Sequence, residues 1–153
     1  MPRNPQSENR KGHVVSLVQQ RLGPCHRKHS NRPDWYSSKI DAVDVFITDS
    51  KSTSQHAPWY DMKEKDLEEL ANHPAGFVLF VLGDPQRYLV IPARDLKARL
   101  PGHLEGPTED GYYHFHVVRG KPIFKDLPAW NLTPYVDKLE LIPYLANTPL
   151  TPR

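Results

Sequence analysis

The 153-residue sequence predicts an α/β fold with a mixed β-sheet flanked by helices. The first observation is the stretch of residues 77–82, six apolar residues in a row, which is typical of a strand buried on both faces. The second is a partner strand over Arg87–Pro92, reached across a short turn. The third is a helical pattern before and after this pair. Two adjacent strands fed by a helix favour a mixed sheet over a doubly wound parallel one.

The composition favours a single domain, residues 1–153, that is rich in loops. Apolar residues make up 38% of the chain, and the 16 prolines concentrate at the ends and in connections. Residues 1–5 have nothing to bury, so we expect them to be disordered. The proline-rich tail, residues 143–153, is expected to pack on a neighbouring subunit or to remain mobile.

The charge distribution and the cysteine content indicate the kind of binding partner and the cellular compartment to expect. Net charge is +2, but residues 1–32 hold seven Lys and Arg and one acid, Glu8. This imbalance fits a polyanionic partner and also a plain solvated surface. The single cysteine, Cys25, excludes an internal disulfide framework and fits a reducing cytosol. No apolar run approaches a membrane span and the N-terminus lacks an apolar signal core, so we expect a soluble cytoplasmic protein without a membrane partner.

The first predicted element is a helix over residues 8–22. Ser7 is its expected N-cap, and Glu8 in the first turn suits the helix dipole. Gly23, followed by a proline, ends it. The residues expected to face the core recur at helical spacing: Val14, Val18 and Leu22.

A basic stretch, residues 25–29, is predicted to be a loop, and a turn is expected at 31–33. The stretch contains Cys25-His26-x-x-His29, but the spacing is tight and no fourth ligand follows, so zinc is disfavoured. Arg27 and Lys28 are better candidates for contacts to phosphates.

Residues 33–51 carry the chemistry around which the chain is organised. A strand rich in β-branched residues leads to Asp49 and Lys51, which are two apart and so point to the same face. Asp34 precedes Asp49 by enough residues for a turn and a returning strand to bring it alongside. Two carboxylates can hold Mg²⁺, and a neighbouring lysine can orient or activate a water. The expected chemistry is hydrolysis of a phosphodiester.

Residues 61–73 are predicted to form a helix after a polar loop. Leu67, Leu70 and Ala71 are expected to face the sheet, and the charged residues, Asp66 among them, to face solvent. Three further elements are expected: a short helix over 93–100, a strand over 112–118 with His114 and His116 on one face, and a partly helical segment over 130–142 that covers a sheet edge.

Asp34, Asp49 and Lys51 resemble the signature of the PD-(D/E)xK nuclease superfamily, and the order of elements over residues 8–100 is similar to that of small endonuclease-like proteins. The resemblance implies a restriction-endonuclease-like core and a Mg²⁺-dependent endodeoxyribonuclease of the homing or restriction type. Asp34 and Asp49 would bind the metal, and Lys51 would position or activate water. Glu8, on the first helix, would be a further acidic member of the catalytic site.

The resemblance also implies partners. Double-stranded DNA is the expected substrate, and because one site cuts one strand, a homodimer or homotetramer is expected. The loop after Lys51 is expected to reach a DNA groove, since hydroxyl and amide groups bond phosphates and base edges. Its candidate contacts are Ser52, Thr53, Ser54, Gln55 and His56.

Several alternatives stay open at this point. Asp41 and Asp44 compete with Asp34 for the place of the first metal ligand. A non-catalytic DNA-binding or interaction protein on the same fold is the main functional alternative, and an RNA-directed nuclease is another.

Overall fold

A computed structural model describes most of the chain. The described residues are 5–23, 25–29, 32–38, 42–49, 59–83, 87–100, 111–118 and 121–143, with side chains described outside 5–10, 26–29, 32–33 and 83. Within these ranges the elements run in the order α1 (Pro5–Leu22), β1 (Cys25–His29), β2 (Arg32–Ser38), β3 (Asp44–Asp49), β4 (Trp59–Lys63), α2 (Glu64–Asn72), β5 (Gly76–Gly83), β6 (Arg87–Pro92), α3 (Ala93–Arg99) and β7 (Tyr112–His116).

Five strands form one mixed sheet in the order β1-β2-β3-β5-β6. Strand β2 runs antiparallel to both β1 and β3, β5 runs parallel to β3, and β6 returns antiparallel to β5. The parallel pair starts with Asp44 beside Gly76 and ends with Asp49 beside Val81. This confirms the predicted α/β class with a mixed sheet, and the Gly76–Gly83 strand with its partner β6 is confirmed where the apolar run placed it.

The central strands β3 and β5 are buried on both faces of the sheet, which we call the α1 face and the α2 face. Val45 and Ile47 of β3 pack with Val14 and Val18 of α1, whereas Phe46 packs into the cluster with α2 and α3. Neighbouring residues of β3 thus alternate between the two clusters. Each such fully buried side chain stabilises the fold by roughly 1.5–3 kcal/mol. The strand therefore has no solvent-facing side along its middle.

The α2 face is also covered by a two-stranded antiparallel ribbon of β4 and β7. Its inner face buries Tyr60, Met62 and Phe115 in the cluster of the α2 face. The Tyr60 hydroxyl donates to the backbone oxygen of Val81 at 2.6 Å. Because Val81 lies beside Asp49, this bond ties the ribbon to the end of the sheet where β3 finishes.

Helix α1 begins at Pro5, earlier than predicted. Ser7 therefore lies inside the helix and is not its N-cap, which corrects the sequence-based expectation. Proline suits a first helical position because its missing N–H needs no partner there. The predicted end is confirmed: Gly23 adopts φ 75° and its N–H donates to the Gln19 oxygen at 2.8 Å.

Three other boundaries differ from the predictions. Residues 59–63 form strand β4, so the helix predicted over 61–73 is limited to Glu64–Asn72. Asp66 of that helix is buried, not solvent-facing. Residues 25–29 are a strand, so the loop predicted there is wrong. Of the turn predicted over 31–33, residues 32 and 33 begin β2, and residue 31 lies outside the described residues. These residues form strands because β1 pairs with β2 and β4 pairs with β7, and local composition does not specify such pairing.

The segment after β7 closes the edge beside β6. It contains two short 3₁₀ turns, Thr133–Tyr135 and Leu139–Leu141, in place of the partly helical stretch predicted over 130–142. The Asp137 N–H donates to the Tyr88 oxygen at 2.8 Å, so the expected cover of a sheet edge is confirmed. None of the helices in the described ranges is long and apolar enough to span a membrane.

Candidate active site at the end of β3

Strands β2 and β3 bring two of the predicted metal ligands to one face. Trp35 lies opposite Phe46 and Tyr36 opposite Val45. Extending this register by one residue puts Asp34 opposite Ile47, and therefore diagonal to Asp49. Residues in these positions share a face, and diagonal neighbours lie roughly 7–8 Å apart. The predicted returning strand thus brings Asp34 beside the end of β3, on the α1 face.

The first cation at this site comes from α1. The ammonium of Lys11 pairs with Oδ1 of Asp34, and the two side chains are 23% and 30% exposed. Lys11 is one turn before Val14, so it continues the buried stripe of the helix toward the site. Sequence reasoning missed Lys11, although its spacing from Val14 and Val18 was a usable signal.

Glu8 belongs to the same end of α1. It precedes Lys11 by three residues, a spacing that places two positions on one face of a helix. The side chain of Glu8 lies outside the described residues. The Lys11–Asp34 pair shows that α1 lies near the start of β2 at the residue three positions after Glu8, and the role of Glu8 stays a prediction.

Asp49 ends β3 and is partly buried, with its main chain beside Val81. Lys51 follows two residues later and lies outside the described residues, as do the candidate DNA contacts Ser52, Thr53, Ser54, Gln55 and His56. Their roles stay predictions. The last described residue before them, Asp49, ends β3 in the five-stranded sheet, and the next described residue, Trp59, begins β4 in the two-stranded ribbon.

Asp44 does not belong to this site. It is fully buried on the α2 face at the start of β3, about 16 Å along the strand from Asp49. Ser37 Oγ donates to its Oδ1 at 2.6 Å and Trp35 Nε1 donates to its Oδ2 at 3.2 Å. His73 Nε2 lies 3.7 Å from Oδ1. Asp44 therefore cannot share a cation with Asp49. Asp41, the other alternative to Asp34 as first metal ligand, lies outside the described residues.

The donor chemistry of Asp34 and Asp49 fits a hard divalent cation. Mg²⁺ takes oxygen ligands, keeps several waters and needs only one or two protein carboxylates. Across the described part of the chain, no group of three or more His, Cys, Asp and Glu side chains comes together. A site built on Asp34 and Asp49 would thus hold the cation with two protein carboxylates, and Glu8 is the acidic residue that α1 could add.

Cys25 is a poor candidate nucleophile. Its Sγ lies 3.3 Å from the Gly23 oxygen, and burial raises the pKa of the thiol. A raised thiol pKa leaves less of the reactive thiolate at neutral pH. Cys25 also begins β1 opposite Ser38, at the far end of the sheet from Asp34.

Arg27 and Lys28 lie on β1, the edge strand next to β2. Arg27 is opposite Tyr36 in the register. The side chains of Arg27 and Lys28 are outside the described residues, so the predicted phosphate contacts stay predictions. Their backbone positions are on the strand adjoining the one that carries Asp34.

The outer face of the β4–β7 ribbon carries aromatic and imidazole rings. The ring of Trp59 lies 5.8 Å from that of His114 and 6.5 Å from that of His116. Lys63 Nζ is 5.8 Å from the ring of Tyr112 on the same face. The two histidines predicted to share a face do so, and they pack with Trp59 on that face.

No protein-family model, no curated protein and no solved structure matches this chain.

Proposed function

We propose that this protein is a Mg²⁺-dependent endodeoxyribonuclease with a restriction-endonuclease-like core. The β2–β3 register carries the proposal: continued by one residue beyond the Trp35–Phe46 pair, it puts Asp34 diagonal to Asp49, on the face where Val45 and Ile47 pack with α1. The mixed sheet, with a helix on one face and two on the other, supports the fold that the resemblance implies.

The chain's own residues would divide the work as follows. Asp34 and Asp49 hold Mg²⁺, and Lys51 orients the attacking water, with Glu8 assisting from α1. When bound, Mg²⁺ supplies a water of lowered pKa and stabilises charge on the phosphate. The buried clusters on both faces of β3 fix its backbone, which keeps the end of the strand in place for these roles.

Duplex DNA is the proposed substrate, with site-specific cleavage of the homing or restriction type. The basic composition of residues 1–32 suits a polyanion, and Arg27, Lys28 and residues 52–56 are the proposed contacts. One site of this kind cuts one strand. We therefore propose a homodimer or homotetramer, in which a symmetry axis presents two sites to the two strands.

The test is cleavage of a complex duplex DNA library with Mg²⁺, with Ca²⁺ as the non-supporting control. Asp49→Asn and Lys51→Ala are compared with the native protein, and Lys65→Ala, the same substitution at an exposed position on α2, is the control for Lys51→Ala. We expect discrete cuts by the native protein and by Lys65→Ala, reduced at least about 100-fold in Asp49→Asn and Lys51→Ala. Cleavage that survives Asp49→Asn would contradict the proposal.

A non-catalytic DNA-binding protein is the second candidate. The observation that favours it is the Lys11–Asp34 pair, which neutralises a site carboxylate without any metal. This function predicts salt-sensitive DNA binding that is unchanged by Asp49→Asn and by removal of Mg²⁺, with no cuts. Competition between DNA and RNA duplexes in the same assay tests the RNA-directed alternative.

A further inference from the structure

Lys11 occupies the position from which a cation would neutralise Asp34. Its ammonium reaches Asp34 Oδ1 from the stripe of α1 that packs on the sheet. Both side chains keep about a quarter of their surface exposed, at 23% and 30%. The contact is therefore accessible to ions, unlike the fully buried contacts of Asp44 on the other face.

We propose that Lys11 is a displaceable counter-ion of the metal centre, an inference that rests on the proposed function. In the metal-free protein Lys11 holds the Asp34 carboxylate. A divalent cation competes with Lys11 for that carboxylate, and the released ammonium then contacts a phosphate of the DNA. Lys11 would thus link metal binding to substrate binding.

The chemistry of lysine suits such an exchange. Its ammonium is strongly hydrated and sits on a flexible four-carbon stem, so it can leave one partner for another. A partly exposed ion pair is weak, so a divalent cation can displace it. A divalent cation on Asp34 also repels the ammonium, which favours its movement toward the negative DNA backbone.

The first test measures Mn²⁺ binding from the signal of free Mn²⁺ in electron paramagnetic resonance, without DNA. Lys11→Gln removes the competitor, so we expect Mn²⁺ to bind roughly five- to tenfold more tightly than to the native protein. Lys11→Arg keeps the charge and should bind Mn²⁺ no more tightly than the native protein. Lys65→Gln, on the exposed face of α2, should leave the affinity unchanged.

The second test follows the salt dependence of binding to a duplex oligonucleotide. With Ca²⁺ present, Lys11→Gln should reduce the slope of log K against log salt by about 0.9, the loss of one phosphate contact. With EDTA the slopes of the native protein and Lys11→Gln should agree, because Lys11 is then held by Asp34. Equal slopes under both conditions would overturn the proposed transfer to phosphate.

The two levels of inference fail differently. In one outcome, Asp49→Asn abolishes Mn²⁺ binding and Lys11→Gln does not tighten it. This result would overturn the role of Lys11 but not the proposed metal centre. Mn²⁺ binding that is indifferent to Asp49→Asn would overturn the metal centre itself, and the role of Lys11 with it. An absence of binding in both the native protein and Lys11→Gln would overturn both.

Discussion

The two ends of strand β3 carry the same residue type in opposite circumstances. Asp44 starts the strand, is fully buried on the α2 face, and accepts hydrogen bonds from Trp35 and Ser37. Asp49 ends the strand, is partly exposed, and shares the α1 face with Asp34, which is paired with Lys11. We call the Asp44 end of β3 the sealed end and the Asp49 end the accessible end.

This difference separates a structural carboxylate from a candidate ligand. At the sealed end, buried donors of Trp35 and Ser37 on β2 satisfy the charge of Asp44, and no ion can enter without breaking these hydrogen bonds. At the accessible end, the ammonium of Lys11 pairs with the Asp34 carboxylate, and its long flexible side chain allows it to leave. Position on the strand and face of the sheet therefore decide the role of an aspartate.

Removing Asp44 should have the largest effect on stability. Asp44→Ala removes the carboxylate that accepts two buried hydrogen bonds, from Trp35 Nε1 and Ser37 Oγ, so the free energy of unfolding should fall by about 3 kcal/mol. Asp49→Ala, at the accessible end, should cost less than about 1 kcal/mol. Urea unfolding of both variants measures the two losses of stability, and equal losses would contradict the difference between the two ends of β3.

Substitution of Gly76 should lower the stability nearly as much, because Gly76 lies beside Asp44 at the sealed end. A Cβ there would overlap the backbone oxygen of Leu70, so Gly76→Ala should destabilise the fold by about 2 kcal/mol. Gly12→Ala is the matched control: nothing lies within 4 Å of its Cβ, and it is inside α1. It should stabilise the fold by about 0.5–1 kcal/mol. Thermal unfolding that ranks the two variants the other way would contradict the packing.

Mg²⁺ should stabilise only chains with an intact accessible end. At a concentration ten times its dissociation constant, Mg²⁺ should add about 1.4 kcal/mol to the free energy of unfolding of the native protein. The increment should persist in Asp44→Asn and disappear in Asp49→Asn. Urea titrations with and without Mg²⁺ measure it, and an increment lost in Asp44→Asn alone would place the cation at the wrong end.

Asp34→Asn should have the smallest effect in the absence of metal. It removes the partner of Lys11 in a partly exposed pair, so the expected loss is about 0.5 kcal/mol at low salt and less at high salt. Denaturation at two salt concentrations provides the measurement. A loss near that of Asp44→Ala, insensitive to salt, would show that the pair is a structural contact.

Local sequence patterns predicted much of the architecture. The unbroken apolar run of β5, the helical spacing of Val14 and Val18, and the glycine at the end of α1 each specify an element without reference to distant residues. The position of Asp34 beside the end of β3 followed from strand alternation and a returning strand.

The remaining features depend on partners far away in sequence. The predicted helix includes residues 61–63 because their charged residues continue into α2, but these residues belong to β4, which pairs with β7. Asp44 and Asp49 look alike in sequence, and only the α2-face cluster around Trp35 reveals which is sealed. Lys11 is one of several N-terminal basic residues until α1 is placed over Asp34.

The most direct test of the account is the position of a bound cation along β3. In NMR spectra, substoichiometric Mn²⁺ broadens the signals of nearby backbone amides most strongly. Strand β3 gives a range of distances for this measurement, because Asp44 and Asp49 lie about 16 Å apart along it. We predict the strongest broadening at Lys11, Asp34 and Asp49, falling along the strand to its minimum at Asp44. Broadening that is uniform or strongest near Asp44 would contradict a metal centre at the accessible end.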